Sequence, residues 1–343
     1  MIYNNIAECI GNTPVVAFHD ELVPSGKKLF LKLDYFNPTF SIKDRTALGL
    51  VKSAMSSGRI QKGSIVIEST SGNLGKSLAM LGAVYGFRVI IVVDPKVSFG
   101  LLRWYKAYGA EVDMVVTPAS NGSFQKARLA RVQELLAQYP NAYWTNQYDN
   151  PSNPSYHADT TSLEIMDLPV DSIVGAVSTG GHLCGIGKRV KETRPDMKII
   201  ACDVVGSAIF TSRFAPYLIN GVGLSWRSDN MDITVLDQIC ISSDQEAIST
   251  CRILAQEHGL LLGGSAGLVV FTALAWLQHS SVHSALAIIP DTGTNYLDQF
   301  YDNEWLEAKG IALLTKLELK EAIKSKAFAS LPQDEALISR PSE

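Results

Sequence analysis

The sequence lacks most of the features that mark membrane, extracellular and nucleic-acid-binding proteins. Its longest strongly apolar stretches, such as Val89 to Val93 and Ala266 to Trp276, fall far below the ~18 residues a membrane-crossing helix needs. The opening residues MIYNNIAECIGNTP carry Glu8 and no basic start or apolar core, so no secretory signal is expected. Cysteine is sparse. Cys9, Cys184, Cys202, Cys240 and Cys251 are scattered, odd in number and form no CxxC pair. A disulfide framework and a structural zinc site are therefore not expected, and a reducing cytoplasm fits best. His19, His258, His279 and His283 have no metal-ligand spacing, so we expect no metal and read these histidines as surface or cap residues. A basic excess is also missing: 30 Lys and Arg face 34 Asp and Glu, for a formal net charge of −4. Such a chain has no general hold on a nucleic-acid backbone. Internal repeats and low-complexity segments are absent.

Apolar residues are not scarce. They make up 46% of 343 residues, against 19% charged, enough for a large core and, at roughly 150 residues per domain, about two domains. Short β-rich runs alternate with longer helical stretches. Ser64–Glu68, Arg88–Val93 and Glu111–Val115 read as strands, each followed by a helical pattern: Asn73 to Tyr85, Phe99 to Tyr108 and Phe124 to Gln138. Later come strands at Ile173–Val177, Lys198–Val204 and Ala285–Ile289, with helices at Gly185–Glu192, Glu246–His258 and Ala266–Gln278. Continuous apolar strands with helical crossovers argue an α/β fold, a parallel sheet covered by helices on both faces. The loop NQYDNPSNPSY at 146 to 156 reads as a connection between two lobes. The segment TKLELKEAIKSK reads as a surface helix before a loose polar end through Arg340 and Pro341. Trp104, Trp144 and Trp276 read as core residues and His157 as structural.

The unusual sequences sit at strand-to-helix turns, where parallel sheets bind ligands. Asn37-Pro38-Thr39-Phe40-Ser41-Ile42-Lys43-Asp44-Arg45 breaks structure before a helix expected over Thr46 to Ala54. That places Lys43 near a helix N-terminus, where the dipole and burial lower an amine pKa and allow Schiff-base chemistry. The alternative is a plain surface lysine. Glu68-Ser69-Thr70-Ser71-Gly72-Asn73-Leu74-Gly75 offers hydroxyls and free N–H groups to a carboxylate or phosphate. It runs into Gly75-Lys76-Ser77, the ending of a nucleotide-binding loop. That motif needs glycine at position 70, and Thr70 stands there. Ser178-Thr179-Gly180-Gly181-His182 again follows a strand and suits a phosphate dianion. Pro290-Asp291-Thr292-Gly293 follows Ala285–Ile289, and Gly263-Gly264-Ser265 opens a further helix. Gly221-Val222-Gly223 lacks the third glycine of a dinucleotide fingerprint.

The order of these pieces resembles the fold-type II enzymes that use pyridoxal phosphate (PLP), a two-lobed fold like the tryptophan synthase β chain. The nearest branch is the cysteine synthase and cystathionine β-synthase family. Gly11-Asn12-Thr13-Pro14 matches that family's opening motif, and the resemblance runs from about Ile10 to Tyr296. It implies a smaller mobile lobe over 45–145, a larger cofactor-binding lobe of 1–44 with 146–310, and a C-terminal helix and tail over 311–343. It implies a homodimer acting on small amino-acid substrates, with no nucleic-acid or membrane partner. The activity implied is β-replacement on O-acetyl- or O-phospho-L-serine through an aminoacrylate intermediate.

Position by position, the resemblance assigns roles. Lys43 stands where the Schiff-base lysine stands, and Asn73 where an asparagine bonds the cofactor's ring hydroxyl. Ser178, Thr179, Gly180, Gly181 and His182 match the phosphate cup. Thr292 matches the hydroxyl facing the pyridine nitrogen, with Asp291 as competitor. Thr70, Ser71 and Gln147 match the substrate-carboxylate site. Two departures stand out: Leu74 replaces a threonine in the usual TSGNTG loop, and His182 replaces a threonine in the cup. In the segment Gly221 to Arg227, Arg227 is a candidate reader of a phosphate leaving group, or a solvent-facing residue beside Asp229. The SGNLG variant is similar to family members that join O-phosphoserine to an amine in diaminopropionate pathways. Rival readings are a serine or threonine dehydratase of the same fold, a non-catalytic relative, and a kinase resting on Gly75-Lys76-Ser77 alone.

Overall fold

In a computed structural model, which describes residues 2–120, 122–211 and 213–330, the chain forms two sheets wrapped by helices. The order is β1 (Val15–Phe18), β2 (Lys28–Leu33), α1 (Lys43–Ser56), β3 (Ile65–Ser69), α2 (Asn73–Tyr85), β4 (Arg88–Val93), α3 (Phe99–Ala107), β5 (Glu111–Met114), α4 (Phe124–Gln138) and β6 (Tyr143–Trp144). It continues through α5 (Ser152–Tyr156), β7 (Ser172–Ala176), α6 (Gly181–Thr193), β8 (Lys198–Val204), β9 (Gln238–Ser242), α7 (Asp244–His258), α8 (Gly264–His279), β10 (Ser284–Ile289), α9 (Asn303–Ala308) and α10 (Lys316–Ser325). The polar end through Arg340 and Pro341 lies outside the described residues.

One sheet has the order β5-β4-β3-β6 and the other β1-β2-β10-β7-β8-β9. All pairings are parallel except β1 with β2. The expected two-lobed arrangement of parallel sheets covered by helices is present, and one sheet has an antiparallel edge. β1 and β2 escaped the sequence reading because Lys28-Leu-Phe-Leu-Lys-Leu is short and flanked by lysines, and only pairing with β10 buries it. Between the sheets, the 146–156 segment contains the short helix α5 rather than loop alone. Its Tyr156 packs against Gly49 of α1 so tightly that a Cβ at Gly49 would lie 2.4 Å from it.

α8 is apolar nearly all round, and Leu268, Val269, Val270, Phe271 and Ala273 are wholly buried under the larger sheet. A helix without a polar face belongs in the middle of a protein, and each large apolar side chain there contributes about 1.5–3 kcal/mol by burial. Trp104, Trp144 and Trp276, read as core, are half-buried. The opening motif around Thr13 serves a buried ion network. Thr13 Oγ1 donates to Asp34 (2.5 Å), Arg45 pairs with Asp34 and Glu164, and Lys32 with Glu164. This network clamps the segments on either side of Lys43 and fixes the start of α1.

Candidate active site

The carboxyl ends of β3, β7 and β10 converge on a narrow cavity. Ser41, Lys43, Asn73, Ser178, Thr179, His182, Gly221, Ser265 and Asp291 contribute to its wall. Wider depressions exist, one between residues 58–65 and 138–142, but that one gathers no buried ionisable group. The chemistry sits in the narrow one.

Lys43 is brought there by backbone pairing. Ser41 bridges to Asp291, and Ile42 N donates to Pro290 O at 2.8 Å. The helix begins at Lys43 itself, three residues earlier than expected, because Ser41 Oγ accepts from Lys43 N (3.2 Å) and supports the first turn. Burial pushes the Lys43 ammonium down to about 8, against the pull of the Asp291 charge. An amine so placed is free of its proton in roughly a tenth of molecules at pH 7, far more than an ordinary lysine, and able to act as nucleophile or base.

Asn73 opens α2. Its Nδ2 donates to Asp291 Oδ2 (2.9 Å) and its Oδ1 accepts from Asn295 Nδ2 (3.0 Å), so the amide is oriented from both ends. Across the cavity, Ser178 to Gly181 lead into α6. Gly180 adopts φ +79°, and a Cβ there would lie 2.5 Å from Asn230 O; one on Gly181 would lie 2.0 Å from Asn153 Oδ1. Glycine is therefore required at both positions, and the turn presents backbone N–H groups at a helix N-terminus. His182 stands in the wall with its Nε2 buried and without a partner. Burial and the nearby Lys43 charge push its pKa down to about 3, so the ring is neutral. The glycine cradle, the unpartnered imidazole nitrogen and the lowered lysine suit a phosphate-bearing aldehyde cofactor.

The structure does not bring every expected residue to the cavity wall. Thr292 turns away: its hydroxyl lies 3.4 Å from Leu261 O and 3.4 Å from Thr294 N, where it caps a short turn. Its place is taken by Ser265 and Asp291, whose Oγ and Oδ1 are 3.4 Å apart. Both residues lie just past the end of β10, Asp291 bridged to Ser41 and Thr292 to Leu262, so they meet different segments. Ser265 was visible only as part of a Gly-Gly-Ser helix start. Arg227 also lies off the wall, with its Nε donating to Ile209 O (3.2 Å), whereas Gly221 of the same segment lines it.

Thr70, Ser71 and Gln147 lie beside the cavity. Thr70 Oγ1 accepts from Gly72 N (3.2 Å) and tightens the loop. Gln147 N donates to Glu68 Oε2 (3.3 Å), and its carbonyl accepts from Asn153 and Asn230, which ties this loop to the cup. Ser71 Oγ accepts from Arg128 Nη1 (3.0 Å) and Asp94 N (3.3 Å). Arg128, buried and paired with Asp94 at 3.2 Å, is a site-supporting residue the sequence did not betray. It lies in a helix rich in charges, where an arginine reads as solvated.

Glu68 holds this corner together. Burial pushes its carboxyl up to about 7, against hydrogen bonds from Thr145, Ser69 and Gln147. In the unfolded chain the group titrates near 4.5, so between these values the native state binds the extra proton. Stability from this group is greatest at low pH and falls as pH rises from about 4.5 to 7. Urea unfolding at pH 5 and pH 8 is expected to show a loss of roughly 2 kcal/mol attributable to Glu68. Glu68→Gln should flatten that dependence, and an unchanged slope in the variant would contradict the assignment.

Outside the cavity, His258 lies 2.8 Å from Asp20, near Glu257. The ammonium of Lys316 already occupies this surface cluster, 2.9 Å from Asp20 and 2.6 Å from Glu257. His157 is buried, with ring nitrogens near Thr46 (3.0 Å) and Thr161 (2.9 Å). Among the described residues, no helix is long and apolar enough to cross a membrane.

Known proteins match this arrangement. The sequence pattern of the family described as pyridoxal-phosphate dependent enzyme matches residues 6–291. Among solved structures, O-ureido-L-serine synthase is 32% identical, with a TM-score of 0.82 over 92% of this chain and 98% of its own. Cysteine synthase from Entamoeba histolytica is 30% identical, with a TM-score of 0.84 over 95% and 97%. The O-acetylserine-dependent cystathionine β-synthase from Helicobacter pylori is 30% identical, with a TM-score of 0.81 over 87% and 98%.

Proposed function

We propose, because the chain belongs to the pyridoxal-phosphate-dependent enzymes, that it replaces the β-substituent of an activated L-serine by a nucleophile. The observation that carries the reading is Lys43, an amine of lowered pKa facing a glycine-built anion cup across one cavity. Its relatives include enzymes named for cysteine, cystathionine and O-ureidoserine synthesis. When bound, pyridoxal phosphate supplies the electron sink that stabilises negative charge at the amino acid's Cα.

The chain's own residues do the rest. Backbone N–H groups from Ser178 to Gly181, with neutral His182 beside them, hold the phosphate at the N-terminus of α6. Asn73, fixed by Asp291 and Asn295, and Ser265 beside Asp291 would contact the bound cofactor from the same wall. Lys43 would hold the cofactor, and its amine is placed to take the proton from Cα and return it.

Ser71 grips the substrate. Its two acceptor positions are filled by Arg128 and the Asp94 amide, so its own hydrogen is directed to another acceptor, and a substrate carboxylate is the fitting one. Thr70 and Gln147 complete this corner. Gripping the carboxylate draws the smaller lobe, residues 45–145, over the cofactor and excludes water. The acting form is a homodimer, which a solution mass measurement decides.

Ser71→Ala is expected to weaken binding of amino-acid ligands about tenfold, the scale of one hydrogen bond to a charged group. Cofactor affinity should stay within about twofold; if the cofactor is stripped instead, the carboxylate assignment fails. The function itself is tested by giving the holoenzyme O-acetylserine and O-phosphoserine separately, with sulfide, thiol or amine nucleophiles. A β-substituted alanine in the product mass spectrum supports the reading. Pyruvate and ammonia from every combination would make the enzyme a dehydratase.

A further inference from the structure

Two hydrogen bonds at the start of α2 reach across the molecule. Asn73 Nδ2 donates to Asp291 Oδ2 (2.9 Å), and Asn73 Oδ1 accepts from Asn295 Nδ2 (3.0 Å). Asn73 follows β3 of the smaller sheet, whereas Asp291 and Asn295 follow β10 of the larger one. Asn295 stands in the single turn Gly293–Tyr296, which Thr292 caps by accepting from Thr294 N (3.4 Å). That cap is the work of the Thr292 hydroxyl away from the cavity, and the turn it supports carries Asn295 to α2. Asp291, Asn295 and Tyr296 are all buried.

An asparagine amide can sit in either of two flips, which exchange a donor for an acceptor. Here its partners decide the flip. Asp291 Oδ2 also receives Tyr296 OH (2.9 Å), so it serves as an acceptor and needs nitrogen opposite it. Asn295 brings its own Nδ2 to the other end of the amide and needs oxygen there. Asp291 lines the cavity together with Asn73, and Asn295 does not. The nitrogen end of the amide is therefore the end on the cavity side. One of its N–H groups goes to Asp291 and the other is left to give. The oxygen end is turned to Asn295.

We propose that Asn295 is a positioning residue of the active site: by holding Asn73 Oδ1 it makes Asn73 offer an N–H, rather than a carbonyl, to the bound cofactor. The inference rests on the cofactor reading of the site. Pyridoxal phosphate carries a ring oxygen next to the carbonyl that Lys43 would join, and Asn73 shares a wall with Lys43. A donor to that oxygen stabilises it as an anion, and so favours the visible-absorbing form of the cofactor. An acceptor in the same place disfavours the anion and shifts the balance to the neutral form, which absorbs in the near ultraviolet.

The experiment compares absorption spectra of the holoenzyme, without substrate and at one fixed pH, for wild type, Asn295→Leu, Asn295→Asp, Asn73→Ala and Thr294→Ala. Leucine removes the donor at similar volume. Aspartate keeps the shape and sets an acceptor against Asn73 Oδ1, which drives the amide to flip. Both Asn295 variants should lower the ratio of visible to near-ultraviolet absorbance about fivefold, the scale of one lost hydrogen bond, and Asn73→Ala should lower it too. Thr294→Ala, at the exposed neighbouring position of the same turn, should match wild type. An unmoved ratio in Asn73→Ala or in a folded Asn295 variant, or an equal fall in Thr294→Ala, overturns the proposal. Should a variant at 295 not fold, Asn295→Ser, which only shortens the side chain, is read by the same criteria. Were wild type to bind no cofactor, the proposed function would fail. Asn295 is then judged on the apoprotein, from NMR exchange of the Asn73 side-chain N–H pair with solvent, the pair being identified by its loss in Asn73→Ala. That exchange should quicken about fivefold in the Asn295 variants, and an unchanged rate overturns the inference.

Discussion

Lys43→Ala is expected to lower turnover by at least ~10³-fold while leaving the fold intact. The side chain is the base at the reacting carbon in the proposed chemistry, and loss of a positioned general base costs on the order of 10²–10⁴. Loss of the covalent anchor adds to that. Stability should hold, because residue 43 is the first residue of α1 and alanine is the best helix former. The ion network of Arg45, Asp34 and Glu164 that fixes this segment is untouched. Two measurements check it: the mass of the chain after borohydride treatment, which should gain the cofactor in wild type only, and the melting temperature. Turnover in the variant within tenfold of wild type would remove Lys43 from the mechanism.

Gly180→Ala carries the second large effect, and it falls on cofactor affinity. The residue sits at φ +79°, where an alanine costs about 1–2 kcal/mol on its own. Its Cβ would then meet the Asn230 carbonyl oxygen at 2.5 Å and the Met231 Cα at 2.7 Å, both backbone atoms. Backbone cannot swing aside as a side-chain tip can, so the turn into α6 must open and its N–H groups lose their common aim. Cofactor affinity is expected to fall by at least ~30-fold, since about 2 kcal/mol corresponds to that factor. A titration of apoprotein with pyridoxal phosphate measures it. An unchanged affinity would show that this turn does not hold the phosphate.

These two residues also show how unevenly the site was written in the sequence. Lys43, Asn73 and the Ser178–His182 turn were legible because each lies at a strand-to-helix junction, where residue types with special backbone needs interrupt apolar runs. Glycine at 180 and 181 signalled a close approach, although not what approached. Thr292 and Arg227 lie off the cavity wall for different reasons. Asp291 and Thr292 follow the end of β10 and are set by separate bridges to Ser41 and Leu262, distant segments that no local pattern encodes. Arg227 lies in a loop whose path is set by contacts such as Ile209 O, and no local pattern encodes that path. Lys76 reads as part of a failed nucleotide motif, and Arg128 stands in no motif at all. Only packing reveals that both are buried and opposed by carboxylates.

The sequence by itself determined the α/β class, most of the helices and the larger strands. Apolar periodicity and capping residues act over a few neighbours, and their energetics are local. It also determined that an amine, an amide and a glycine-rich anion loop exist at strand ends. Tertiary structure alone decided the strand order within each sheet and the antiparallel edge of β1, because strand order is set by crossovers and not by any single strand. It decided that Ser265 and Asp291, rather than Thr292, face the cavity. It decided that Lys43 titrates near 8, since desolvation depends on what surrounds a group in space. The same holds for Lys76, buried over the Trp104 ring only because the helices around it close and exclude water.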